Sequence, residues 1–170
     1  MIEILILYEI NKKVLTMYGI SKEIKREFST LLTPSYGTIK PALKRLEKES
    51  FVKSQKNISE GGRPSVYYSI TSNGEKRLNE LLLEEPLENP IHFLPTARVK
   101  LICSEVLNNL EKKELFDLLK LKSENIVIDI KNNLQQKNLD FYRQIVLDNL
   151  LCEYKNFISM LEGFERACKN

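Results

Sequence analysis

The sequence predicts a mainly α protein with one small β-hairpin, built as two parts around a proline-rich connector. Three stretches carry this reading. Between Ser35 and Lys48 the apolar residues Ile39, Ala42, Leu43 and Leu46 recur at helical spacing, while Lys40, Lys44, Arg45 and Lys48 project from the other faces. After Phe51 the period shortens towards two, with Val52, Ser54 and Lys56 on one face and Lys53 and Gln55 on the other. Gly61-Gly62 supply a turn, and Ser65 to Ile70 run back, rich in β-branched and aromatic residues. From residue 96 onwards only helical patterns remain. A basic helix followed by a cationic hairpin is the shape of a winged helix-turn-helix, so we expect that domain over 1–83, a connector over 84–95 and an all-helical domain over 96–170.

Taken in order, Ile2 to Ile10 is apolar nearly all round and reads as a helix buried on most sides, ended by Asn11-Lys12-Lys13. A buried strand is the alternative for so short an apolar run. Met17-Tyr18-Gly19 reads as a turn, with Ser21 as the N-cap of a second helix through Phe28. Its inner face is Ile24, Phe28 and Leu31 or Leu32. Thr33-Pro34 restarts the chain as the N-terminus of the third helix, where proline is accepted at the first position. Pro41 lies further inside that helix and removes one backbone bond, so either the regular helix starts near Thr38 or its first turn is kinked. Tyr67 and Tyr68 fall on opposite faces of the returning strand, and we expect Tyr67 to point outward. Thr71 or Ser72 caps the next helix, whose face is Leu78, Leu81 and Leu82.

Pro86, Pro90 and Pro95 within ten residues mark a semi-extended connector. Beyond it, Thr96 is a candidate cap for a helix from Ala97 to Leu107, broken at Asn108-Asn109. Glu111 opens a long helix to about Gln136, striped by Leu115, Leu119, Lys122, Ile126, Ile130 and Leu134. Lys137-Asn138 is a candidate break, and a last helix follows from Asp140. Along it Leu147, Leu150, Tyr154, Phe157, Leu161, Phe164 and Cys168 alternate at spacings of three and four, a heptad seam. Large aromatics on a narrow stripe suit a symmetric partner, so we expect homodimerisation through Leu147, Leu150, Tyr154, Phe157, Leu161 and Phe164.

Composition narrows the function. The 170 residues carry a net charge of +3. Residues 1–83 hold 14 Lys and Arg against 9 Asp and Glu, whereas 84–170 hold 12 against 14, so the basic excess lies with the hairpin. That is where a polyanion-binding surface needs it. Cys103, Cys152 and Cys168 have no CxxC spacing and His92 is the single histidine, which argues against a disulfide scaffold, a metal site or a Cys/His or Ser/His/Asp catalytic set. We therefore expect no enzyme activity, no cofactor and no metal. The opening MIEILILYEI carries Glu3 and Glu9 and lacks a basic n-region, and no run approaches the ~20 apolar residues of a membrane span. The expectation is a cytoplasmic protein with no membrane partner.

At the hairpin and the helix before it the pattern becomes specific. Tyr36-Gly37-Thr38-Ile39, Pro41-Ala42-Leu43, Arg45-Leu46-Glu47, Gly61-Gly62-Arg63-Pro64 and Tyr67-Tyr68-x-Ile70-Thr71 together resemble the PadR family of bacterial transcriptional regulators, over roughly Ile4 to Leu83. Two departures stand out: the family often has Tyr where Lys40 stands, and Gly where Ser50 ends the helix. The resemblance implies a repressor that binds an operator, with small molecules such as phenolic acids relieving repression. Some members stack a drug on Trp, which this chain lacks.

A major groove ~12 Å wide admits one helix. Ser35, Tyr36, Thr38 and Lys40 would then touch bases or adjoining phosphates, with Lys44 on the backbone and Arg45 either beside it or merely solvated. In the hairpin, Arg63 on a tip stiffened by Pro64 suits the minor groove or a bidentate phosphate grip. Lys53, Lys56, Ser65 and an outward Tyr67 flank it. Two such units related by a two-fold place their helices ~34 Å apart, one turn of duplex. The expected partner is a palindromic double-stranded DNA operator bound by a homodimer. The competing reading is a protein-interaction adaptor that uses a winged helix and a helical bundle without DNA.

Overall fold

The computed structural model describes residues 1–58, 62, 64–85, 90–136 and 138–168. The chain divides into two compact units: residues 1–84 with 91–106, and residues 85–90 with 107–170.

The first unit opens with α1 (Ile2–Lys12), whose residues Ile4 to Ile10 are all buried. A helix apolar nearly all round must be surrounded, and α1 packs against α2, α3, β3 and α4. The chain then forms a two-residue strand, β1 (Leu15–Thr16), before α2 (Met17–Phe28). Met17-Tyr18-Gly19, read above as a turn, is therefore the first turn of α2. The cap is Thr16 rather than Ser21, its side chain accepting the Gly19 N–H at 3.1 Å. Ile20, Ile24 and Phe28 form the buried face of this helix, while Leu31 and Leu32 are only half-buried.

The helix α3 (Tyr36–Lys48) starts one residue after Ser35, so Pro34 precedes the cap instead of opening the helix. Helical assignment runs unbroken from Tyr36 through Pro41. The Thr38 and Ile39 N–H groups both reach the Ser35 carbonyl, so the first turn holds together ahead of the proline. Ile39, Ala42, Leu43 and Leu46 are its buried face, as the spacing predicts. The helix stops in a Schellman motif: Ser50 N–H donates to Glu47 O and Phe51 N–H to Leu46 O, with Ser50 at φ 62°.

β2 (Val52–Ile58) and β3 (Pro64–Ile70) pair antiparallel with Val52 opposite Ile70 and Ile58 opposite Pro64. β1 adds to the other edge of β3, Leu15 opposite Tyr68 and Thr16 opposite Tyr67, giving the sheet order β1-β3-β2. No period-two pattern marks a two-residue strand, and its pairing is visible only in three dimensions. Thr71 caps α4 (Ser72–Leu83) by accepting the Gly74 N–H at 3.0 Å, and its hydroxyl and N–H also reach the Phe51 carbonyl. That lock leaves no room at Gly74, where a Cβ would lie 2.1 Å from Phe51 O.

α5 (Pro90–Cys103) runs through Pro95 and Thr96, so Thr96 sits within the helix and does not cap it. Residues 90–95 of the expected connector are helical; Pro86 lies outside the described residues. Lys100 of α5 is buried and donates to the Leu82 and Glu84 carbonyls at the end of α4, capping that helix from outside. Burial lowers its pKa to about 8.

In the second unit, Asn108 opens α6 (Asn109–Leu134) with a capping box closed by Glu111. After a bend in which Asn138 takes a positive φ, α7 (Phe141–Cys168) runs back along α6. Lys137, half of the expected break, is outside the described residues. Tyr154, Phe157 and Leu161 are buried within the protomer, and Phe164 stacks on Phe116 at 5.9 Å between centroids. The C-terminal part of the heptad seam thus packs on α6 of the same chain, the alternative to a symmetric partner that the spacing leaves open. Leu147 and Leu150 are half-buried, and before them Phe141, Tyr142, Ile145 and Val146 are exposed.

Candidate nucleic-acid interface

The site is built where α3 lies over one face of the wing. Strand register puts Val52, Ser54 and Lys56 of β2 on the same face as Ile70, Tyr68 and Val66 of β3. Ser54 donates to the Glu47 carboxylate of α3. Tyr68 lies close to that carboxylate as well, and burial, followed by the Glu47 charge, raises its pKa. A groove of about 340 Å³ opens between the start of α2, α3 and β3. Its wall is apolar at Met17, Leu43, Val66 and Tyr68, and Lys40 and Lys44 supply the cationic groups.

On α3, Ser35, Tyr36, Thr38, Lys40, Lys44 and Lys48 are all exposed. Their spacing sets Gly37, Lys44 and Lys48 near the middle of the outward face, with Tyr36 and Lys40 on one shoulder. The Ser35 and Thr38 hydroxyls are 3.2 Å apart at the helix entry. Among the described residues, Lys40, Lys44 and Lys48 have no carboxylate partner, and α3 makes one ion pair, through Arg45. The Arg45 guanidinium donates twice to Glu3 Oε1 on α1, at 2.9 and 3.2 Å, and so buttresses α3 against the first helix.

The hairpin divides its residues. Lys56 shares the Tyr68 face, whereas Lys53 is on the other face beside Thr71, Ser72 and Glu75 at the start of α4. Ser65 reaches the groove. Tyr67 and Tyr68 are both half-buried, so neither is a core residue, and it is Tyr68 that lines the groove beside Lys40. Sequence alternation could not find this, because the strand β1 that covers part of Tyr67 carries no signal of its own. Arg63 lies outside the described residues. Of the candidate DNA contacts, Lys40, Lys44 and Ser65 line the groove, Ser35 and Tyr36 are exposed at the start of α3, Thr38 faces a separate hollow beside α1, and Lys56 shares the Tyr68 face of the wing, while Lys53 and Arg45 are directed elsewhere. The groove residues missed by sequence reasoning are Thr16, Met17, Tyr18, Leu43, Val66 and Tyr68; the helical period of α2, had it been extended to Met17, would have pointed to Met17 and Tyr18.

Among the described residues no helix is long and apolar enough to cross a membrane.

Residues 6–80 match the model of the transcriptional regulator PadR-like family. Among solved structures, the chain is similar to a PadR-like transcriptional regulator from Bacillus cereus, at 32% identity over 46% of this chain and 74% of that one, TM-score 0.41. It is also similar to Bacillus subtilis PadR crystallised with operator DNA, at 23% identity over 98% of each chain, TM-score 0.45. A second structure of that protein, with p-coumaric acid, matches at 22% identity over 99% of this chain and 96% of that one, TM-score 0.43. None of the curated proteins matches this chain.

Proposed function

Because the chain belongs to the PadR-like family of transcriptional regulators, we propose that it is a repressor that binds a palindromic DNA operator as a homodimer. The observation that carries this reading is the unpartnered cationic face of α3 beside the wing. Lys40, Lys44 and Lys48 are held on one helix with no carboxylate partner among the described residues, a poor arrangement for stability and a good one for phosphate. Lys40 at the shoulder and Tyr36 at the entry are placed to read base edges, with the Ser35–Thr38 pair and the α3 N-terminus against a phosphate. Lys44 and Lys56 grip the backbone, and Ser65 lies beside them. Arg63, from its place in the Gly-Gly-Arg-Pro string, is assigned to the wing tip. Lys53 and Tyr67 contribute at the margin. Arg45 acts through Glu3 by fixing the angle of α3.

Dimerisation falls to α7. With Tyr154, Phe157 and Leu161 used inside the protomer, the available face is Leu147 and Leu150 together with the exposed Phe141, Tyr142, Ile145 and Val146. Release by a small-molecule effector belongs to the same reading, and thermal shift with a panel of phenolic acids probes it.

The test is duplex binding at several salt concentrations. Lys44→Ala should weaken binding to operator and scrambled duplex alike and flatten the log–log salt slope by about 1. Lys40→Ala should change the preference between the two. Arg45→Ala should leave the salt slope unchanged. Failure to bind any DNA at low ionic strength would overturn the reading and favour the protein-interaction adaptor.

A further inference from the structure

Away from the DNA face, the first unit contains a buried charge cluster that regulation of transcription does not use. Glu9 of α1 is fully buried, and among the described residues neither of its carboxylate oxygens has a hydrogen-bond partner. Its oxygens lie within 4.8 Å of those of Glu23 and Glu27 on α2. The groups around it come from α1 and its C-cap (Tyr8, Lys12 and Lys13), α2 (Glu23, Arg26 and Glu27), the end of α5 (Cys103) and the 3-10 turn at Ser104–Val106 (Glu105).

The partners are already taken. Glu23 is held by Lys13 at 3.1 Å and Arg26 at 2.5 Å, and Glu27 by Lys12 at 2.7 Å and Arg26 at 3.0 Å. Glu105 accepts from Tyr8 at 2.5 Å and lies 3.9 Å from Lys12, whose ammonium also sits 3.8 Å from the centre of the Tyr8 ring. Four carboxylates therefore share three cations, and the one left over is the most buried. An ionised, unpaired carboxylate in such a place is the costliest arrangement available to it. A divalent cation would have to displace groups that already hold Glu23 and Glu27 twice each. A single proton balances the count without moving anything.

We propose that Glu9 is a proton-binding site within the α1–α2 seam, so that acidification tightens the DNA-binding unit and alkalinisation loosens it. Burial is the largest cause; Lys12, next in size, opposes it, Glu27 and Glu23 add to it, and the balance raises the Glu9 pKa from 4.5 to about 7. The sign follows from that direction. Between these two values the folded chain holds a proton that the unfolded chain has released, so stability falls as pH rises through the window and levels off above it.

Two measurements on the full chain test this. The ¹³C-carboxyl titration of Glu9 should have its midpoint near 7, and a midpoint near 4.5 would overturn the proposal. Urea unfolding of the wild type and of Glu9→Gln, which keeps the shape and the neutral charge, is then compared between pH 5 and 8. The wild-type unfolding constant should rise up to about tenfold more per pH unit than that of the variant, until pH 7. Parallel curves would overturn the proposal. Addition of Mg²⁺ or Ca²⁺ at pH 7 should leave both proteins unmoved; stabilisation of the wild type alone would replace the proton with a cation.

Discussion

Gly74→Ala sets two familiar effects against each other and lets the structure choose between them. Gly74 lies in the first turn of α4, and on helix propensity alone alanine is the better residue by ~1 kcal/mol. The local packing says the opposite. The added methyl would fall 2.1 Å from Phe51 O and 2.7 Å from Ile70 Cγ1, and the nearest obstacle is backbone that cannot rotate away. Relief requires α4 to move off the junction between α3 and β2. That shift strains packing at about 1–3 kcal/mol. It also breaks the 3.1 Å bond from the Thr71 N–H to Phe51 O and disturbs the Thr71 hydroxyl, which donates to the Ser50 carbonyl at 2.8 Å and lies 3.1 Å from that of Phe51, at about 1 kcal/mol each. Against the propensity gain the net loss is roughly 2–4 kcal/mol. For a unit of this size that lowers Tm by about 10 °C or more. Thermal unfolding followed by far-UV circular dichroism measures it. A Tm equal to or above the wild type would mean that the junction yields cheaply and that the close approach of α4 to Phe51 is not a constraint.

Two further outcomes follow from the same geometry. Ser50→Gly should stabilise the chain by about 0.5–1 kcal/mol, since the left-handed φ of 62° costs a non-glycine residue more than the added freedom of the unfolded glycine gives back; urea midpoints compare the two. Tyr154→Ala should cost the helical unit about 3–5 kcal/mol by emptying a buried site against α6, whereas Tyr142→Ala, 79% exposed, should change protomer stability by less than about 0.5 kcal/mol. If α7 carries the dimer contact, sedimentation should show Tyr142→Ala weakening self-association, and equal loss of stability in both variants would contradict the division of α7 into an inner and an outer stretch.

The sequence by itself determined those features whose cause is local. The period of Ile39, Ala42, Leu43 and Leu46 gave α3 its buried face, and the mixed sheet-like alternation and paired glycines gave the hairpin. The cap at Thr71 was legible because a cap is a contact three residues long, whereas Asn108, which the sequence offered only as a break, proves to be the cap that closes a box with Glu111. Ser50 was recognisable as an anomaly before its φ was known, since helix stops favour glycine.

What the tertiary structure decided is everything that depends on which surface meets which. Thr16 displaced Ser21, five residues further on, as the cap of α2 because β1 pairs with β3 and sets the chain direction immediately before Met17. Arg45 was one basic residue among four until Glu3, 42 positions away, claimed it. Tyr154, Phe157 and Leu161 fit a dimer seam and an intramolecular one equally well by spacing; the return of α7 along α6 assigned them to the latter. Glu9 sat in an apolar run where periodicity reads only burial. Its lack of a partner among the described residues is a count over charges from three elements, and no stretch of sequence contains that count. The physical reason is common to all four. Periodicity and caps are set by neighbours along the chain, while pairing, desolvation and charge balance are set by neighbours in space.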